Sequence, residues 1–179
     1  MVYVFLAEGF EECEALAPID ILRRAGFDLK TVGIGSKVIT GAHGIQVVCD
    51  ICDNEASFTQ LEAVVLPGGM PGTLNLEKSE TVQKFIDFAA QKNLVLGAIC
   101  AAPSILGHKG ILNNKKATCF TGFEKDLAGA NVIDEPVVVD GNIVTAYGAG
   151  AAFDFGFALL EVLSDTETAH NMRKQMRYR

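Results

Sequence analysis

Short apolar runs alternate with longer amphipathic segments along this chain, and that alternation is the feature that most constrains its fold. Strands are predicted at Val2–Leu6, Leu29–Ile34, Ala63–Leu66, Leu94–Ala98 and Asn142–Thr145. Short runs this rich in Val, Ile and Leu are typical of parallel strands that are buried on both faces. We therefore predict an α/β fold, a three-layer sandwich in which helices cover both faces of a mostly parallel sheet.

The segments between these strands carry apolar residues at helical spacing. Helices are predicted over Glu12–Ala25, ending before Gly26, and over Ser79–Gln91 and Phe153–Ser164. Residues 35–58 instead show short alternating stretches with glycines between them. That pattern predicts a small β-hairpin outside the main alternation.

Composition excludes several classes of protein. The 179 residues include 15 Lys and Arg against 22 Asp and Glu, a net charge of −7, which disfavours nucleic-acid binding because that needs clustered cations. Five cysteines, an odd number, argue against a disulfide scaffold and favour reduced thiols in the cytoplasm. The longest apolar stretch, residues 94–107, is interrupted by Gly and Pro and is too short to span a membrane. With no linker or repeat, we expect one domain over residues 1–179.

The strongest local signal is the segment from Leu94 to Pro103. Its apolar strand ends at Cys100, and a helix is predicted to begin directly afterwards, with Pro103 in the first turn. Small residues on both sides permit a nucleophile elbow, which would hold the thiol above the carboxyl edge of the sheet. The helix N-terminus would favour the thiolate. The alternative is an inert buried cysteine, because free cysteine is among the most buried residue types.

A glycine-rich loop, Pro67–Pro71, follows another predicted strand. Glycines such as Gly68 let the backbone approach a ligand closely and leave N–H groups free to face a cleft. Beside an elbow at Cys100, the N–H groups of Gly69 and Ala101 would form an oxyanion hole. An ordinary strand-to-helix connection is the alternative, and the loop lacks the Gly-Lys-Ser/Thr of a phosphate-binding loop.

Three carboxylates, Glu11, Glu12 and Glu14, follow the first predicted strand. Acidic residues in a first helical turn complement the helix dipole, and we assign that role to Glu11 and Glu12. Glu14 is the candidate to face inward because it precedes apolar positions at helical spacing. A carboxyl that packs inward beside two others is shifted towards its neutral form, in which it could donate a hydrogen bond to a thiolate.

The other cysteines and the histidines offer weaker signals. Cys49 and Cys52 form a CxxC pair, but the neighbouring aspartates raise thiol pKa values and disfavour thiol exchange. No metal site is predicted, because ligands are not suitably spaced. His43, in a Gly-Ala-His-Gly turn, is the histidine that could reach a cleft. Cys13 and Cys119 are assigned to packing.

Together these motifs resemble the ThiJ/PfpI family, and within it the branch of the parkinsonism-associated protein deglycase and its bacterial relatives. The similar segments run nearly end to end and include Glu11–Glu14, Pro18–Asp20 with Arg23–Gly26, Val64–Gly69, Ala98–Pro103, and Gly148–Gly150 with Phe153. The resemblance implies a flavodoxin-like sandwich that is usually a homodimer, and the aldehyde chemistry considered below would need no cofactor. It also implies that Cys100 is an oxidisable nucleophile, that Glu14 is hydrogen-bonded to it, and that Gly69 and Ala101 supply amide donors.

Two departures from the family pattern bear on activity. That branch generally has a cleft histidine after the elbow helix, where this chain has Phe120, so a base is missing unless His43 substitutes for it. The peptidase branch has a histidine directly after the nucleophile, where this chain has Ala101, so proteolysis is disfavoured. His43, Phe120 and Gly68 are the remaining candidates for the walls of the cleft.

Two functions compete for these residues. In the first, an enzyme of glyoxalase or deglycase type acts on a small aldehyde or dicarbonyl: the Cys100 thiolate attacks the aldehyde and Glu14 shuttles protons. In the second, a non-enzymatic oxidative-stress sensor or chaperone, Cys100 is oxidised to the sulfinate. A Glu14 contact with Cys100 and no imidazole nearby would favour the second. A flavin-binding protein is disfavoured, because no phosphate loop follows the first strand and tryptophan is absent.

Overall fold

The computed structural model describes residues 1–179. Its strands are β1 (Val2–Leu6), β2 (Leu29–Gly33), β3 (Val38–Thr40), β4 (Gln46–Val48), β5 (Ile51–Cys52), β6 (Ala63–Leu66), β7 (Val95–Ile99), β8 (Lys116–Ala117), β9 (Asn131–Val132), β10 (Val137–Asp140) and β11 (Ile143–Ala146). Its helices are α1 (Glu12–Arg24), α2 (Gly72–Lys78), α3 (Glu80–Gln91), α4 (Pro103–His108), α5 (Ala152–Leu163) and α6 (Thr166–Gln175). None of these helices is long and apolar enough to cross a membrane.

A seven-stranded sheet in the order β10-β11-β7-β6-β1-β2-β5 forms the middle layer. Every neighbouring pair in it is parallel except β10 with β11, which is antiparallel at the edge. The mostly parallel sandwich predicted from the sequence is therefore confirmed. All five predicted strands are present: two have the predicted bounds, and the other three have ends that differ by one residue from the predicted ones.

Alternate residues of the central strand β1 face opposite sides of the sheet. Val4 and Leu6 join an apolar core with side chains of α1, α5 and α6. Tyr3 and Phe5 join a second core with side chains of α2, α3 and α4. The continuous apolar run in the sequence thus reflects a strand that packs against helices on both faces.

The predicted hairpin is the antiparallel pair β3 and β4. The same region also contains β5, which leaves the hairpin and pairs in parallel with β2 at the edge of the main sheet. Four strands were not predicted from the sequence: β5, β8, β9 and β10. Three of them are two residues long, too short for the alternation of polar and apolar residues to mark a strand.

The topology brings three connections to one edge of the sheet. Strands β1, β6 and β7 are parallel neighbours, so the segments that follow their carboxyl ends lie side by side. These segments are the approach to α1, the glycine-rich loop before α2 and the turn at Cys100.

Close packing of α1 against α5 makes the volume at Gly156 critical. A Cβ atom there would lie 2.6 Å from Ile21 Cδ1 and 3.0 Å from Pro18 Cα. We expect Gly156→Val to lower the free energy of unfolding by about 1–3 kcal/mol, because the added methyl groups must push the helices apart. Urea unfolding measures this, with Gly150→Ala as the control, since no atom lies within 4 Å of a Cβ at Gly150. Equal stability of Gly156→Val and the wild type would contradict this account of the contact.

Candidate active site

Cys100 occupies the turn between β7 and α4 in a conformation that side chains rarely adopt. Its φ is +65°, in the left-handed region, which is uncommon for residues other than glycine. Its N–H donates to the carbonyl of Ala146, and its carbonyl accepts from the N–H of Phe120, both at 2.8 Å. Backbone held in such a conformation by its surroundings is a recurrent feature of functional sites.

The helix after Cys100 begins later than the sequence predicted. Ala101 and Ala102 form a buried turn, and α4 begins at Pro103 and ends after six residues. The expectation that this helix N-terminus would hold Cys100 as a thiolate is therefore wrong. Burial, and then the charge of Glu14, raise the pKa of the Cys100 thiol to about 12. Hydrogen bonds from the N–H groups of Gly69 and Ala101 to the sulfur lower its pKa, but by less.

Glu14 faces inward from α1, as its helical position predicted, and only 1% of its surface is exposed. One carboxylate oxygen, Oε2, accepts a hydrogen bond from the Gly68 N–H at 2.9 Å. The side chain is also hydrogen-bonded to that of Cys100. Burial raises the pKa of Glu14 to about 7, although both hydrogen bonds act in the opposite direction. Near neutral pH the thiol therefore keeps its proton, while the carboxyl is divided between its neutral and ionised forms.

Gly68 makes the contact between Glu14 and Cys100 sterically possible. A Cβ at this position would lie 2.6 Å from Cys100 Cβ, 2.7 Å from Glu14 Oε2 and 2.9 Å from the Ile99 carbonyl oxygen. Gly69 has a φ of +89°, and a Cβ there would lie 2.4 Å from the Glu11 nitrogen. Gly68 thus lets the β6 loop run directly over the turn at Cys100, and Gly69 lets it pass close to the backbone before α1.

His43 does not reach the thiol. Its Nδ1 lies 3.0 Å from Glu12 Oε2 and 3.3 Å from Glu11 Oε2. Glu12 does more than complement the helix dipole: it is buried, and its Oε1 accepts hydrogen bonds from the backbone N–H groups of His43 and Ile45. This carboxylate therefore fastens the turn between β3 and β4 to the start of α1. No pattern in the sequence predicts this contact.

Glu11, Glu12 and His43 are also the residues whose donor types could hold a metal ion. One ligand atom from each lies within 4.8 Å of the others. His43 Nδ1 is already hydrogen-bonded to Glu12, and the two carboxylates raise the pKa of the imidazole. As it stands, the imidazole of His43 lies between the carboxyl groups of Glu11 and Glu12.

Phe120 lies beside the turn at Cys100 at the position where the family pattern has a histidine. Its side chain is 50% exposed and packs over Gly148, where a Cβ would lie 3.2 Å from the ring. It forms part of the wall of a cavity of about 640 Å³. The cavity is lined by Thr118, Cys119, Phe120, Thr121, Glu124, Val132, Ile133, Asp134, Tyr147, Gly148, Ala149 and Gly150. Apart from Phe120, the sequence did not single out these residues as part of a site, because they come from three separate loops.

The remaining cysteines lie away from the Glu14 contact. Cys49 is buried, and its pKa is raised to about 11 mainly by burial, with a smaller effect from Asp50. Cys119 is buried, as expected for a packing residue. Cys13 is exposed on α1, so its assignment to packing is wrong: the helix turns Glu12 and Glu14 inward and leaves the position between them facing outward. No two of the five cysteines are joined by a disulfide.

The chain is similar in sequence to known proteins over nearly its whole length. The chain is 32% identical to the Arabidopsis thaliana protein DJ-1 homolog B over 175 residues, covering 97% of this chain and 40% of that protein. It therefore spans about two-fifths of the length of that relative. It is 30% identical to the Drosophila melanogaster protein dj-1beta over 174 residues, covering 96% of this chain and 93% of that protein.

Solved structures of DJ-1 proteins also have a fold similar to that of this chain. The chain matches the crystal structure of Drosophila melanogaster DJ-1beta with a TM-score of 0.94 and 28% identity, covering 99% of this chain and 97% of that one. It matches a DJ-1 superfamily protein from Salmonella typhimurium with a TM-score of 0.93 and 32% identity, covering 99% and 98% of the two chains. The model of the DJ-1/PfpI family matches residues 1–162. With these matches and the geometry at Cys100, the chain belongs to the DJ-1/PfpI family.

Proposed function

We propose that Cys100 and Glu14 act together on the aldehyde group of reactive dicarbonyls, in chemistry of glyoxalase or deglycase type. The observation that carries this proposal is the hydrogen bond between the Cys100 thiol and a buried carboxyl whose pKa is raised to about 7. A general base is most effective when its pKa lies near the working pH, because it is then both available and able to accept a proton. Glu14 meets that condition, and no cofactor is required.

In the first step Cys100 adds to the aldehyde of a substrate such as methylglyoxal. The sulfur forms a bond to the aldehyde carbon while the thiol proton moves to the Glu14 carboxylate. The C=O π electrons move to the aldehyde oxygen, where the N–H groups of Gly69 and Ala101 stabilise the negative charge. Protonated Glu14 then returns its proton to that oxygen and completes a hemithioacetal.

In the second step Glu14 removes the hydrogen from the former aldehyde carbon and later delivers a proton to the neighbouring carbon, while the hydroxyl proton on the former aldehyde carbon passes to the neighbouring oxygen. The result is a thioester of Cys100. Water then breaks the bond between carbon and sulfur, which releases lactate from methylglyoxal and restores the thiol. One water molecule is consumed and no oxidant is needed, so a single buried carboxyl can act at each proton transfer.

The high pKa of the thiol favours this scheme over one that begins with a resident thiolate. A thiol with a pKa of about 12 reacts when a base removes its proton during attack. His43 does not contact the thiol, because its imidazole is hydrogen-bonded to Glu12. Phe120 carries no ionisable group, so the proposed chemistry depends on Glu14 alone.

Removal of either partner should abolish lactate formation from methylglyoxal. We expect Cys100→Ser to show no activity above background and Glu14→Gln to lose about 10²–10⁴-fold in kcat/KM, the usual contribution of a general base. In the wild type kcat/KM should rise with pH through about 7, because only ionised Glu14 accepts the thiol proton. A coupled assay of lactate formation from about pH 5 to about pH 9 measures the loss of kcat/KM in the variants and its rise with pH in the wild type.

Matched variants away from the site serve as controls for that assay. Cys52→Ser removes a thiol that does not contact Glu14, and Glu80→Gln removes an exposed carboxylate of α3, so both should keep wild-type kcat/KM. Undiminished lactate formation in Cys100→Ser, or no lactate from the wild type, would overturn the proposed activity.

A second candidate function is oxidation sensing at Cys100, and the lack of an imidazole at the thiol is the observation that favours it. His43 is paired with Glu12 and Glu11, and His108 lies 2.6 Å from Glu77. Two peroxide molecules would convert the thiol to a sulfinic acid with release of two waters. The neutral form of Glu14 and the two backbone N–H groups at the sulfur could donate hydrogen bonds to the sulfinate oxygens.

Mild peroxide should therefore add two oxygen atoms to Cys100. We expect the reaction to accelerate as pH rises, because burial and Glu14 keep the thiol protonated at neutral pH and the thiolate is the species that is oxidised. Intact mass and peptide mapping follow the adduct, with Cys100→Ala as the negative control and Cys52→Ser as the matched thiol control. An adduct that persists in Cys100→Ala, or none in the wild type, rules out sensing at this residue.

We also propose that the chain forms a homodimer, as the resemblance implies, through an exposed apolar surface beside α1. Leu16, Ile45 and Phe153 are 39%, 54% and 45% exposed and line one groove between α1, the β3–β4 hairpin and α5. Adjacent exposed apolar side chains of this size commonly mark an interface. A second copy supplies an apolar surface of the same kind.

We further propose a cytoplasmic location, because the five cysteines are free thiols and thiols stay reduced in the cytoplasm.

A charge in that surface should separate the subunits. We expect Leu16→Glu to shift the mass measured by light scattering from dimer to monomer, because a carboxylate would be buried without a partner. Leu74→Glu is the matched control, since Leu74 is 44% exposed on α2, away from the groove. A wild-type chain that is monomeric at micromolar concentration would contradict the proposed interface.

A further inference from the structure

The cavity beside Phe120 has the size of a small-molecule site. Its volume of about 640 Å³ falls in the range of about 300–1,000 Å³ that is common for ligand pockets. Three loops form its walls: residues 118–121, residues 132–134 and residues 147–150. Phe120, Val132 and Tyr147 give it apolar surface on more than one side, each of them 38% exposed or more.

Charge in the cavity has one sign. Glu124 and Asp134 are its charged lining residues, and no Lys, Arg or His lines it. Backbone N–H groups, including that of Gly122 at 2.9 Å from Glu124 Oε2, hold the pKa of the Glu124 carboxyl below its usual value. This carboxylate is therefore ionised at neutral pH. The hydroxyl groups of Thr121 and Tyr147 add neutral polar groups beside the carboxylates.

The cavity adjoins the nucleophile through the backbone. One wall is attached to Cys100 by the hydrogen bond from the Phe120 N–H to its carbonyl. A second wall begins one residue after Ala146, whose carbonyl accepts a hydrogen bond from the Cys100 N–H. Both flanks of the cavity are thus fixed to the turn that carries the thiol. The backbone of Cys100 is therefore hydrogen-bonded to the segments that form two walls of the cavity, although its side chain does not line it.

We propose that this cavity selects the carbonyl substrate by charge, binding the ammonium group of a cationic aldehyde and disfavouring aldehydes that carry a carboxylate. The inference rests on the proposed function and deepens it by naming the substrate class. Glu124 and Asp134 attract the ammonium group, while the apolar walls contact the carbon chain. An anionic aldehyde would meet two carboxylates and no cation.

Binding can be tested without the chemistry of Cys100, in Cys100→Ala protein. The probes are phenethylammonium and 3-phenylpropionate, which share an aromatic ring and a short chain and differ in the sign of their charge. In an NMR titration we expect phenethylammonium to shift the amide signals of residues 118–121 and 147–150. We expect it to bind about tenfold more tightly than 3-phenylpropionate, because two partly exposed carboxylates attract the cation and repel the anion. Equal affinity for the two probes, or shifts elsewhere on the surface, would overturn the proposed site.

Two double variants separate the cavity from the overall negative charge of the chain. Glu124→Gln with Asp134→Asn should abolish the preference for the cation. Glu80→Gln with Glu161→Gln removes the same number of charges from exposed positions on α3 and α5 and should leave the preference intact. If the preference for the cation survives the first pair of substitutions, or disappears with the second, its source is the overall negative charge of the protein. Either result would refute the cavity as the source.

A final measurement connects the cavity to the thiol of the wild type. We expect trimethylammonioacetaldehyde, a cationic aldehyde, to protect Cys100 from alkylation at about tenfold lower concentration than glyoxylate, an anionic one. Equal protection by both would refute charge selection while leaving the aldehyde chemistry intact. Protection by neither, together with cation binding in Cys100→Ala, would instead refute the proposed aldehyde chemistry and leave the binding site intact.

Discussion

The hydrogen bond between Glu14 and Cys100 is the interaction on which the rest of the site depends. It joins α1 to the end of β7, and the Gly68 N–H of the β6 loop donates to the same carboxylate. Three connections at one sheet edge are therefore held together by a single side chain. Burial makes the pair sensitive to protonation, because it favours the neutral form of each group. The charge of Glu14 also disfavours the thiolate, whereas the hydrogen bond with the thiol lowers the pKa of Glu14.

Backbone geometry supplies the precision that this pair requires. Cys100 adopts a left-handed conformation because hydrogen bonds to Ala146 and Phe120 hold its N–H and its carbonyl. The side chains of Glu14 and Cys100 leave no room for a Cβ atom at Gly68, so only glycine fits there. Rigid placement of this kind replaces the mobile water that would otherwise solvate the carboxyl, and it costs no reorganisation when charge moves during a reaction.

The sequence predicted the parts of this structure that depend on local pattern. Apolar runs identified the buried strands, and the small residues around Cys100 identified the turn. What it could not predict depends on contacts between distant segments. The ion pair of Glu12 with His43 joins residues 31 positions apart, and the acid-lined cavity takes its walls from three loops. The direction of the thiol pKa was also missed, because the burial that raises it is set by tertiary packing and not by the neighbouring sequence.

Burial in the folded state also suppresses the reactivity of Cys100, because it raises the pKa of the thiol. An isolated thiol of this kind has a pKa near 9.0, whereas in the site it lies at about 12. Any local opening that separates α1 from β7 would release the thiol from Glu14 and return it towards the lower value, so that a larger fraction is thiolate at neutral pH. Without substrate, the most reactive cysteine in the population would then belong to briefly opened molecules, and its rate of modification would report how firmly these two elements hold together.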